Sequence, residues 1–128
     1  VGDFVVHYMS GQSKEGAKGG SMRLGAYDCE FTEGSLGHQI YGAKKVSERH
    51  RHRLEVNNKY INQLTEKGLT ISGRNTALDL VEVIELKDHP FFVGTQFHPE
   101  LKSRPLEPHP LFVGFVKAAS SNPRSQNR

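Results

Sequence analysis

The run from Val46 to Val56, VSERHRHRLEV, alternates residue types with a period of two, and that period belongs to a β-strand rather than a helix. Extended without interruption, it puts His50, His52, Leu54 and Val56 on one face and Arg49, Arg51, Arg53 and Glu55 on the other. Three guanidiniums on one strand face repel each other unless an anion or an acidic partner sits among them. A positioned Arg is the natural bidentate clamp for a carboxylate. Nucleic acid competes as the anion, but no stacking aromatics are interleaved with the cations. A metal held by His50 and His52 would have too few ligands, since no Cys or Asp pair supports them. A plain solvated charged strand is the remaining reading.

Around this strand the chain reads as strands interleaved with short helices, which indicates an α/β domain. Val1 to Met9 reads as a buried strand, so the chain opens inside an element and looks cut from something longer. Residues 10–22, rich in Gly, Ser and Lys, read as a lid-like binding loop or a plain surface connection. Residues 34–43 (GSLGHQIYGA) predict a short helix capped by Ser35, with Leu36 and Ile40 on one face. Residues 58–68 predict a second helix carrying Tyr60, Ile61 and Leu64 and stopping at Gly68. LTISGRN is a strand, and LDLVEVIELKDHPFFVGTQF gives two strands joined at KDHP. The apolar run Phe91 to Phe97 fits a strand buried on both faces. PHPLFVGFVKAASS predicts an amphipathic helix with Pro110 in its first turn and Leu111, Phe112, Phe115 and Val116 inward. Residues 1–119 thus form one domain portion, and the tail 120–128 is expected to be disordered.

The 128 residues suffice for one domain with a real core. The net charge of +3 and pI near 9.1 permit an anionic ligand without demanding nucleic acid. One cysteine excludes an internal disulfide framework and suits a reducing compartment. No apolar run approaches the roughly 18 residues that span a bilayer. A cytoplasmic location without a membrane is expected.

The dipeptide His-Pro stands at His89-Pro90, His98-Pro99 and His109-Pro110. Only His98 follows the end of a predicted strand and has a carboxylate, Glu100, two residues on. Pro99 biases His98 toward an extended backbone, where i and i+2 share a side. A carboxylate on one ring nitrogen fixes the tautomer and leaves the other as a base toward a Ser or Cys nucleophile. A chance acidic neighbour in a strand-end turn is the alternative. Cys29 is no obvious nucleophile: it lies mid-strand between Asp28 and Glu30, whose charges oppose a thiolate.

TQFHPE resembles the His-Pro-Glu signature of the class I glutamine amidotransferases. The ordered set GGSMRLG, ERHRHRLEVNN and HPFFVGTQFHPELKSRPLEPHPLFVGFVKAA is more specific. Over residues 19–119 it is similar to the carboxyl-terminal part of the CTP synthase family, bacterial type. The resemblance implies a flavodoxin-like α/β fold, of which only the C-terminal half of the amidotransferase domain is present. It also implies an activity: glutamine hydrolysis supplies ammonia for the ATP-dependent amination of UTP to CTP. His98 would be the general base and acid of a Cys-His-Glu triad, Glu100 its orienting partner, and Arg53 the holder of the L-glutamine α-carboxylate. Loop 10–22 would match a lid linked to activation by GTP, although GGSM stands where the family usually has GGTM. ATP with Mg would serve a synthase domain of the same protein, in a homo-oligomer, a tetramer by resemblance. The family's G-x-C-x-G nucleophile elbow is absent from this chain, so the chain alone is expected to lack glutaminase activity. A GMP synthase-like amidotransferase and a non-catalytic binding remnant are the alternative readings.

Overall fold

In a computed structural model of the chain, residues 4–8 and 22–121 are described; the expected lid-like loop, apart from Met22, and most of the tail lie outside them. Among the described residues seven strands, β1 (Val6–Tyr8), β2 (Arg23–Phe31), β3 (Lys45–His52), β4 (Leu54–Val56), β5 (Leu69–Asn75), β6 (Leu80–Leu86) and β7 (Val93–Thr95), form two sheets. Three helices, α1 (Leu36–Tyr41), α2 (Ile61–Glu66) and α3 (Pro110–Ser120), complete the mixed α/β arrangement. The larger sheet has the order β3-β2-β5-β6-β7, and β1 pairs with β4 in a separate ribbon. Every ladder among the described residues is antiparallel.

The larger sheet curls. Beyond β7, the His98 N–H donates to the Arg49 carbonyl of β3 at 2.8 Å, so the two ends of the strand order meet. Inside the curl sit Cys29, Phe31, Val83, Phe97 and Leu111, with Ile40, Tyr41, Val46 and Val93 packed against them. Gly73 lets β5 approach this core: a Cβ there would stand 2.7 Å from Cys29 Sγ and 2.8 Å from a Val83 methyl. Ser35 caps α1 as its sequence position suggests, its Oγ accepting from the His38 N–H at 3.2 Å. A second acceptor was hidden from the sequence: the buried Glu85 carboxylate of β6 takes the Leu36 and Gly37 N–H groups at 2.9 and 2.7 Å.

Five local expectations are corrected. The amino-terminal strand is not buried: among the described residues β1 pairs with β4 alone, and Phe4 and Val6 are exposed. The alternation of residues 46–56 breaks at a bend at Arg53, so that Glu55 turns inward and Leu54 outward. The helix of residues 58–68 divides into a 3-10 turn, Asn58–Tyr60, and α2. Asn57 caps the turn with its side chain, which starts a separate local geometry before α2. The run Phe91 to Phe97 is not a doubly buried strand; only Val93–Thr95 joins the sheet, half-buried, paired with β6 alone. Finally, α3 turns Leu111 and Gly114 inward, while Phe112, Phe115 and Val116 are exposed. Gly114 sets that rotation, since its Cα lets the helix close on Ile40 and Phe91.

Candidate active site

The three His-Pro pairs separate by what their Nδ1 atoms do. His89 Nδ1 accepts from the Phe91 N–H at 3.1 Å, and His109 Nδ1 accepts from the Leu111 N–H at 3.3 Å. In both, the imidazole closes a local turn or caps a helix. His98 differs: its Nδ1 faces Glu100 Oε1 at 2.7 Å. A carboxylate only accepts, so Nδ1 carries the proton and Nε2 presents a lone pair. The His98 side chain is 38% exposed and that of Glu100 58%, so the dyad is open to a reactant. The hydrogen bond from His98 holds the Glu100 carboxyl below its ordinary range. The route to this contact departs from the expected extended segment. His98 itself is extended enough (φ −109, ψ 89), but Pro99–Leu101 forms a 3-10 turn, and that turn swings Glu100 back onto the ring.

Arg53 stands at the bend between β3 and β4. The next residue's carbonyl, Leu54, accepts from Gln96 Nε2 at 3.0 Å, two positions before His98. The chain segments bearing Arg53 and His98 are therefore tied side by side, at Arg49–His98 and at Leu54–Gln96. Among the described residues no ion pair is formed by the guanidiniums of Arg49, Arg51 and Arg53. A groove of about 1260 Å³ runs between β3 and the start of α3, past Glu48, Arg51, Lys102 and His109. Neither His98 nor Arg53 lines it.

Cys29 is fully buried, and burial, with Glu82 and Glu48 adding to it, pushes its thiol up to about 12. It packs the core as a neutral thiol. His50 and His52, weighed above as metal ligands, bond to each other, Nδ1 to Nε2 at 2.8 Å. Among the described residues no three His, Cys, Asp or Glu side chains converge as a metal site would require.

Two buried polar clusters escaped the sequence reading. Glu48 accepts from Tyr41 Oη and from His109 Nε2, each at 2.9 Å, which fixes the start of α3 against β3. Arg23, 3% exposed, donates to both Glu55 oxygens at 3.1 and 3.3 Å and to Glu82 Oε1 at 2.5 Å. The available signal was Glu82 between Val81 and Val83, because a carboxylate in a buried strand needs a cation or hydrogen-bond donors.

With the curled sheet and the His98–Glu100 contact in place, the family profile described as "Glutamine amidotransferase class-I" matches residues 2–118. The chain belongs to the class I glutamine amidotransferase family. Its curated relatives here are CTP synthases. That of Cytophaga hutchinsonii is 57% identical over 116 residues, covering 91% of this chain and 22% of the relative. That of Caldanaerobacter subterraneus subsp. tengcongensis is 58% identical over 114 residues, covering 89% and 21%. The chain thus spans about a fifth of the length of the relatives it matches. Among solved structures, the Trypanosoma brucei CTPS glutaminase domain with bound acivicin superposes with a TM-score of 0.81 and 38% identity, over 92% of this chain and 46% of that one. A GMP synthase subunit of Thermoplasma acidophilum, 18% identical with a TM-score of 0.59, shares the fold. No helix among the described residues is long and apolar enough to cross a membrane.

Proposed function

We propose that this chain is the carboxyl-terminal part of the glutaminase domain of a CTP synthase, supplying the acid-base half of a glutamine-hydrolysing centre. The observation that carries the reading is the 2.7 Å contact between His98 Nδ1 and Glu100. Glutamine binds through its α-carboxylate to Arg53, a bidentate donor that forms no ion pair among the described residues. A cysteine nucleophile from the amino-terminal part of the domain attacks the amide carbon. His98 Nε2 takes the thiol proton and passes it to the departing ammonia, then activates the water that releases glutamate. Glu100 keeps the ring in the Nδ1–H tautomer and stabilises the imidazolium as it forms. The ammonia serves the amination of UTP in a synthase domain of the same protein, a homo-oligomer. ATP with Mg serves that domain, and GTP is the allosteric activator of the complete protein.

This reading keeps Cys29 out of the chemistry, because a buried neutral thiol in the core cannot meet a substrate. The complete polypeptide should therefore hydrolyse glutamine, whereas the 128-residue chain alone should not. Hydrolysis by the chain alone that disappears in Cys29→Ala would overturn the assignment.

A further inference from the structure

We infer that Arg23 is a positioning residue for the glutamine carboxylate clamp: it fixes the backbone that carries Arg53 by joining Glu55 on β4 to Glu82 on β6. The inference rests on the reading of Arg53 given above, and extends it to residues that touch no substrate. Uninterrupted alternation would leave Glu55 on the outer face with Arg53. Instead the strand bends at Arg53, and Glu55 enters the interior, 1% exposed, against the Arg23 guanidinium. A carboxylate buried there needs a cation or hydrogen-bond donors, and the Arg23 guanidinium supplies both. The Arg23–Glu55 pair is therefore what holds the bend, and the bend sets where Arg53 stands.

The other side of the bend is held by the paired histidines. Leu54's carbonyl only accepts, so His52 Nδ1, 3.1 Å away, donates to it. His52 Nε2 is then an acceptor and takes the His50 Nδ1–H at 2.8 Å. His50 Nε2 is left as a lone pair facing Glu82 Oε2 at 3.6 Å, both buried and neither with a hydrogen-bond partner. Glu82 is tied to the set through its other oxygen, which takes Arg23. Arg23 also lies over the Tyr27 ring at 4.5 Å, which in turn meets His50 edge-on. One set of contacts thus grips the residues on both sides of Arg53.

Arg23→Lys in the complete polypeptide keeps the charge but reaches one carboxylate where the guanidinium forks to two. The expected result is a glutamine KM raised about tenfold, the scale of losing one charged hydrogen bond, with kcat and ammonia-dependent product formation unchanged. His52→Ala, at a partly exposed position less able to disturb folding, removes the donor to Leu54 and should give the same split. If both variants keep the normal glutamine KM while Arg53→Ala raises it, the positioning inference fails alone. Equal loss of glutamine- and ammonia-dependent activities would make Arg23 merely structural, which also overturns it. An unchanged glutamine KM in Arg53→Ala would sink the clamp reading itself.

Discussion

Acidification from pH 7 to pH 5 should destabilise this domain through His50 and His52, and Glu82 should oppose them. Burial, with Arg23 adding its charge, pushes His50 down to about 3 and His52 down to about 4, from an ordinary value of 6.5. Between those values the unfolded chain binds protons that the folded one refuses. The stability they contribute is present above pH 6.5 and is lost as pH falls. Over the two pH units each histidine gives up about 2 kcal/mol, from roughly 1.4 units at 1.36 kcal/mol each. Glu82 has the opposite sign. Burial, against the pull of Arg23, raises it from 4.5 to about 7, so the folded state takes a proton first and gains about 2 kcal/mol over the same window. These three groups together give a net loss of about 2 kcal/mol, which Glu55, also raised by burial, reduces further; Glu82→Gln, which cannot take up the Glu82 proton, should lose about 2 kcal/mol more than the wild type. Thermal unfolding of both proteins at pH 7 and pH 5 reads the difference directly. A variant whose acid sensitivity is equal to or smaller than the wild type's would refute the assignment of opposing protons to this cluster.

Two further outcomes follow from the core. Gly73→Ala should destabilise the domain by about 1–3 kcal/mol in denaturant unfolding, because its Cβ would lie under 3 Å from Cys29 Sγ and Val83; an unchanged midpoint would mean β5 can shift away. A thiol-specific alkylating reagent should leave Cys29 unmodified in the folded protein and label it on unfolding, since the thiol is buried and pushed up to about 12.

The element types were legible because period and turn chemistry are local. Ser35 before Leu36, Pro110 after His109 and the strand runs each announce themselves within a few residues. The dyad was legible too, although by the wrong local geometry: His98 and Glu100 meet across a 3-10 turn rather than along an extended strand. What stayed hidden depends on partners far apart in sequence. The bend at Arg53 could not be seen in VSERHRHRLEV, because its cause is Arg23, thirty-two positions from the Glu55 it holds. The face of α3 was misjudged for a similar reason. Its largest side chains suggested the core side, whereas the close contact is made by Gly114 against Ile40 and Phe91.

The most direct test of the account is His98→Ala in the complete polypeptide, assayed for product formation with glutamine and, separately, with ammonia as nitrogen donor. Loss of an acid-base group from a triad that acts as a unit should lower the glutamine-dependent rate by about 10³-fold or more. The ammonia-dependent rate should stay at the wild-type level, since no step there needs His98. Retention of glutamine use by His98→Ala, or an equal fall in both rates, would contradict the account.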